Sequence, residues 1–137
     1  MTRILAFDTT TEFGSIALVE GGETAFEELI HAPEGFGQVL FGRLEALLAR
    51  AGWKLDEIDC FAAAAGPGSF TGVRVGLAAV KGLAEALKRP AAAVSNLQAV
   101  ASFGSAGLRA VVLDARRGQI YGAVYDSALA AVTPEVV

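Results

Sequence analysis

Residues 62–87 read AAAAGPGSFTGVRVGLAAVKGLAEAL. An apolar run without alternation, a glycine-rich corner and a long helical pattern follow one another. The run from Ile58 to Ala65 predicts a strand covered on both faces. The segment Gly66-Pro-Gly-Ser-Phe-Thr-Gly breaks it, and a helix from Ser69 to Lys88 ends before Pro90. A buried strand feeding a helix through a tight corner is a building step of an α/β domain.

Working outward, Val39, Leu40, Leu44, Leu47 and Leu48 recur at helical spacing and predict a helix over Gln38–Arg50, closed by Gly52. Before it, residues 3–7, 14–20 and 24–30 read as three antiparallel strands, with Gly21-Gly22 as a turn. Beyond the central helix, Ala91–Val94 predicts a short strand, and Asn96–Phe103 a short helix capped by Ser95. Residues 109–113 and 120–125 predict two further strands, and the last eleven residues carry no periodic pattern. An internal echo runs through this layout. Ile4-Leu-Ala-Phe-Asp8 with its polar turn and following strand is matched by Val111-Val-Leu-Asp114 with its own. Two ordinary hairpins with turn-favouring aspartates would look the same.

The chain has 137 residues, 27 of them alanine and 16 glycine, with 53% hydrophobic and 19% charged residues. So many small side chains imply elements packed backbone-close, and the balance excludes a disordered chain. No apolar run reaches the roughly 18 residues of a membrane span. The N-terminus shows no signal-peptide pattern. A single cysteine, Cys60, excludes an internal disulfide, so the expectation is a cytoplasmic protein and an inert core thiol. Net charge is −4, so a nucleic-acid role needs a local patch or a partner. The single histidine, His31, stands in a polar loop and excludes multi-histidine zinc sites within one copy. No metal site is expected.

Two readings compete for the corner at 66–72. Glycines admit close approach and a helix start offers free N–H groups, which suits a phosphate. A strained strand-to-helix corner with Ser69 as N-cap explains the same residues. The P-loop pattern fails because no Lys-Ser/Thr pair follows Thr71, and the dinucleotide fingerprint fails because Thr71 stands where its third glycine belongs. Asp8 and Asp114, each at a strand end, could bind Mg²⁺ or orient a water. The turn after Asp8 has no glycine to admit a phosphate. Ser69 and Thr71 lack the partners of a nucleophile. Arg116 and Arg117 beside Tyr121 and Tyr125 read as a solvated turn before they read as an RNA contact. On the central helix Gly72, Gly76, Ala79, Gly82 and Ala86 form a small-residue stripe. Glycine inside a helix costs about 1 kcal/mol relative to alanine. The stripe therefore implies a close approach, from a neighbouring subunit or from the Gln38–Arg50 helix.

Ile4-Leu-Ala-Phe-Asp-Thr-Thr-Thr-Glu, then Gly66-Pro-Gly-Ser-Phe-Thr-Gly-Val-Arg-Val-Gly-Leu-Ala, then Asp114-Ala-Arg-Arg-Gly-Gln-Ile-Tyr resemble, in that order, the TsaB (YeaZ) family, from residue 2 to about 126. The resemblance implies an α/β fold: a ribonuclease H-like lobe of the actin, Hsp70 and sugar kinase superfamily, a mixed sheet with helices. Residues 1–103 would be lobe one and 108–137 a partial, incomplete second lobe. Asp8 and Asp114 would then open the two duplicated lobes. It implies a non-catalytic subunit that scaffolds a catalytic TsaD-like subunit. With a TsaE-like ATPase these place threonylcarbamoyl on adenosine 37 of tRNA, the tRNA being reached through the complex. The family's older glycoprotease-like description has little support in a chain with one histidine. The partner interface implied is Leu40, Leu44 and Leu47 with Phe70, Gly72, Val73, Gly76, Ala79 and Val80, and a homodimer could use the same face. No cofactor is expected to bind tightly. ATP or ADP could bind at an interface with a partner, through a loop set of Asp8, Thr9, Thr10, Gly66, Gly68, Ser69, Thr71 and Asp114. The alternative is a small ATP-binding or hydrolysing enzyme built on those same residues. Two departures stand out: Phe36 occupies the place where family members usually have a histidine, and family members continue well past Tyr125.

Overall fold

The computed structural model describes residues 1–137. Five strands form one mixed sheet in the order β3-β2-β1-β4-β5, from β1 (Arg3–Asp8), β2 (Phe13–Glu20), β3 (Glu23–His31), β4 (Cys60–Ala64) and β5 (Ala91–Val94). β1, β2 and β3 form the expected antiparallel meander, while β4 and β5 join parallel to β1. The parallel pairings follow from the chain crossing over through two helices, α1 (Leu40–Ala51) and α2 (Phe70–Leu87).

Alternation decides which face those helices cover. Leu5 and Phe7 of β1 stand beside Leu18 and Ile16 of β2 and beside Phe61 and Ala63 of β4. These bury with Leu40, Leu44, Leu47 and Leu48 of α1 and with Ala79, Val80 and Ala84 of α2 in one core. The helices end as their sequences direct. Gly52 closes α1 in the left-handed region, and Ser69 caps α2 by accepting from the Gly72 N–H at 3.2 Å. Phe36, the departure from the family pattern, is a core plug: its ring lies against Gly14, where a side chain would collide with it.

Several boundaries shift: the helix expected over Asn96–Phe103 stops at Ala101, the strand expected over 109–113 runs from Leu108 to Arg116, and two starts move for a local reason. The strand expected from Ile58 starts at Cys60, because Leu55–Glu57 make a 3₁₀ turn closed by the Lys54 N–H on the Glu57 carboxylate. The helix expected from Gln38 starts at Leu40, after a turn in which the N–H groups of Val39 and Leu40 both reach the Phe36 carbonyl.

A second unit follows. α3 (Asn96–Ala101) packs under the hairpin of β6 (Leu108–Arg116) and β7 (Gln119–Asp126), burying Leu97, Ala101, Val111, Ala123 and Tyr125. The unassigned tail runs antiparallel beside β7, bridging Ala131 to Tyr125 and Val136 to Gly122. Its Glu135 carboxylate accepts from the buried Tyr125 hydroxyl at 2.5 Å and from Ser95. Burial first, and the Glu135 carboxylate second, hold the Tyr125 phenol above its ordinary pKa. The internal echo is visible in atoms: Asp8 Oδ1 accepts from the N–H of Thr10, and Asp114 Oδ1 accepts from the N–H of Arg116. Each carboxylate accepts from the N–H two residues on, but Asp8 ends β1 whereas Asp114, expected at a strand end, lies within β6 at a bulge, the strand running on to Arg116.

Candidate functional site

The Asp8 turn is held from three directions. Asp8 Oδ1 accepts from the Thr10 N–H at 3.0 Å and from the Thr10 hydroxyl at 2.7 Å. The Asn96 amide donates to that hydroxyl oxygen at 2.7 Å, while its own carbonyl oxygen accepts from the Gly66 N–H at 2.9 Å. The Thr9 hydroxyl donates to the Gly72 carbonyl at 2.6 Å, and the Ser69 N–H donates to the Thr10 carbonyl at 2.7 Å. The first turn of the chain, the glycine-rich corner and the start of α3 are thus one network. Asn96 is its joint, and it was foreseen only as the beginning of a helix.

This network corrects the reading of the glycines. A Cβ at Gly72 would overlap the Thr9 carbonyl oxygen, and one at Gly76 would stand 2.7 Å from the Thr9 hydroxyl. A Cβ at Gly68 would stand 2.7 Å from Thr10 Cβ. At these three glycines the close approach is made by the chain's own Thr9–Thr10 segment, backbone and side chain, and not by α1. Thr9 and Thr10 are each 1% exposed, with both hydroxyls committed, so neither offers a hydroxyl to a phosphate. Gly66 is buried at the strand end and keeps a φ of 100°.

Between the two units opens a cleft of about 1410 Å³. Ser69, Thr71 and Gly72 at the start of α2 line one wall, and Asp114, Arg116 and Tyr121 line the other. Its charged lining is Glu12, Glu34 and Asp114 against Arg116 alone, an acidic surface that disfavours a bare polyphosphate. No three histidine, cysteine or acidic side chains gather where a metal ion could sit among them. Asp8 and Asp114 both line a smaller groove behind this cleft, with Thr10 and Gly68.

The expected partner face is also rearranged. Leu40, Leu44, Leu47, Gly76, Ala79 and Val80 are buried in this chain's own core, because the apolar stripe of each helix turns toward its sheet. Gly72 and Val73 are half-buried, and Phe70 is exposed beneath the Arg74 guanidinium. The outward sides are drawn from other residues: Phe41, Gly42, Ala46 and Ala49 on α1, and Ala78, Gly82 and Ala86 on α2. Gly42 and Gly82 meet open space. Their spacing along each helix was available in the sequence, opposite the leucine stripe.

A mixed five-stranded sheet with its crossover helices, followed by a unit that repeats the aspartate turn, is an α/β fold of the actin-like type, and a sugar kinase shares it. A chain described as an N-acetylglucosamine kinase from Porphyromonas gingivalis overlays 99% of this chain and 47% of its own length, with a TM-score of 0.53 at 12% identity. Within that class the comparisons are closer. YeaZ from Pseudomonas aeruginosa overlays 100% of this chain and 67% of its own, with a TM-score of 0.86 at 35% identity. The tRNA threonylcarbamoyladenosine biosynthesis protein TsaB of Escherichia coli is 38% identical over 129 residues, 90% of this chain and 55% of the relative. A family model described as TsaD, tRNA N6-adenosine threonylcarbamoyltransferase, matches residues 32–135. The chain belongs to the TsaB (YeaZ) family. It spans about half the length of the curated relatives it matches.

Proposed function

We propose that this chain takes part in forming threonylcarbamoyladenosine on tRNA, as a subunit that supports a TsaD-like transferase and does not itself carry out the transfer. The observation that carries this reading is the outward surface of α1 and α2. Phe41 and Phe70 are 53% and 76% exposed there, beside small residues that let another helix pair approach closely. Membership of the TsaB family gives that surface a related transferase as its natural partner. The net charge of −4 fits a subunit that meets tRNA through the complex, with a TsaE-like ATPase as its third component. ATP or ADP would sit in the cleft only when a partner supplies the positive charge that the cleft lacks. Nothing in the geometry favours the alternative of an independent ATP-handling enzyme.

Sedimentation of the chain mixed with a TsaD-type transferase tests the reading. One faster species at micromolar concentration is expected, and Gly82→Leu should disrupt it by placing a branched side chain on the open face. Two independent monomers would overturn it. A homodimer that forms through the same helices and excludes the transferase would overturn it as well.

A further inference from the structure

The tip of the β6–β7 hairpin is built against the local preferences of its residues. Arg116 pairs with Gln119, so Arg117 and Gly118 make a two-residue turn, and Ala115 is left out of the pairing as a bulge. Arg116, Arg117 and Gly118 all stand at positive φ, of 65°, 54° and 73°. Glycine or asparagine takes that conformation readily, whereas an arginine there crowds its Cβ against the backbone. Of the four non-glycine residues at positive φ, two are these adjacent arginines; Lys88, by contrast, is the left-handed cap of α2. A backbone that costs stability is kept where another gain offsets it. A solvated turn, the plainer reading of the sequence, accounts for the exposure of the tip and not for its backbone.

Nothing inside the chain supplies that gain. Both residues are exposed and neither guanidinium is engaged, whereas those of Arg3, Arg43 and Arg89 each meet a carboxylate. The Asp114 carboxylate accepts from the Arg116 N–H at 2.7 Å and holds the bulge in place. Arg116 lines the cleft beside Asp114 and Tyr121, and Arg117 stands outside its lining. Two adjacent forks of N–H donors suit phosphates or carboxylates. Their surroundings decide between the two, because Glu12, Glu34 and Asp114 make the cleft acidic. An acidic polypeptide would bring like charge to those carboxylates and offer them nothing, and a free polyphosphate would concentrate its charge there. RNA keeps its charge in the backbone, and its bases carry neutral amino groups from which a carboxylate accepts. Tyr121 adds a ring on which an unstacked base can lie. We propose that Arg116 and Arg117 hold successive backbone phosphates of a single-stranded stretch of RNA at the mouth of the cleft. This contact rests on the role in tRNA modification proposed above, and it adds a direct touch of this chain on the nucleic acid.

The probe is a fluorescently labelled tRNA transcript, titrated with the whole chain at low salt and followed by anisotropy. Saturable binding is expected, with log affinity falling against log salt at a slope of about 1.4 for two phosphates of a single strand. Arg117→Asn is the variant that separates the readings, since Asn-Gly is the pair such a turn prefers. It should raise the urea midpoint, weaken RNA binding about tenfold and lower the salt slope by about 0.7. Arg50→Gln removes the same charge from the exposed end of α1 and should change neither affinity nor slope. An Arg117→Asn chain that is more stable and binds RNA as before would overturn the proposal, the arginine then being a turn residue only. Absence of binding at about a hundred micromolar folded chain would overturn it too. So would competition by ATP or polyglutamate as strong as that of unlabelled RNA at equal charge, which would give the tip to a nucleotide or an acidic protein. A chain that sediments with the transferase yet binds no RNA would sink this contact alone. RNA binding that passes these tests in a chain that does not pair would uphold the contact and overturn only the supporting role.

Discussion

Gly72 and Gly82 lie on the same helix and meet opposite surroundings. At Gly72 a methyl group would drive into the Thr9 carbonyl, a backbone atom that the Asp8 turn holds in place. Gly72→Ala should therefore destabilise by about 1–3 kcal/mol, the usual cost of overpacking. At Gly82 nothing lies within 4 Å, so Gly82→Ala should stabilise by about 0.5–1 kcal/mol through helix propensity alone. Urea unfolding of the two variants should show midpoints displaced in opposite directions. Tyr125 gives a second test at this scale. Its phenol ionises at higher pH when folded than when unfolded, so the folded state holds the proton longer. The corresponding stability is complete below the unfolded pKa of about 10 and is lost as pH rises through the raised folded value. Tyr125→Phe should flatten that alkaline decline in a series of urea midpoints against pH.

Three elements meet at Asn96: the end of β4, the Asp8 turn and the start of α3. Asn96→Ala would leave the Gly66 N–H and the Thr10 hydroxyl, both on buried residues, each short of a partner. A loss of about 1–3 kcal/mol should follow, with α3 and the Asp8 turn loosening together in amide exchange. An independent loss of α3 alone would refute the shared joint. The contrast with the helices shows which physics a sequence exposes. The leucine stripe of α1, the unalternating β4 and the Ser69 and Ser95 caps are local patterns, and each is present with only the ends of α1 and β4 displaced. Asn96 gives no local signal, because its partners Gly66 and Thr10 lie 30 and 86 residues away. The glycines of α2 read as one stripe, but spacing does not show what each meets: Gly72 and Gly76 face Thr9, and Gly82 faces open space. The family resemblance implies a partner face that includes Leu40, Leu44 and Leu47, but these three are covered by the chain's own sheet, because an apolar stripe reads alike whatever covers it.

The whole molecule has two cores of unequal size. The first joins α1, α2 and four strands of the large sheet; the second is Leu97, Ala101, Val111, Ala123 and Tyr125 with a few half-buried neighbours. Hydrophobic stabilisation scales with the apolar area removed from water, so the second unit has far less to set against its chain entropy. Its hairpin also exposes Val112 and Ile120 by 63% and 55%. What ties it to the first unit is the Asn96 joint, whereas the Tyr125–Glu135 bond fastens only its own tail. Local opening should therefore begin there. Native-state hydrogen exchange should find the amides of β6 and β7 opening at lower free energy than those of β1 and β4, which approach the global value. If β6 and β7 already exchange at the global limit in the free chain, the two units fold as one, and the ranking by core size is wrong.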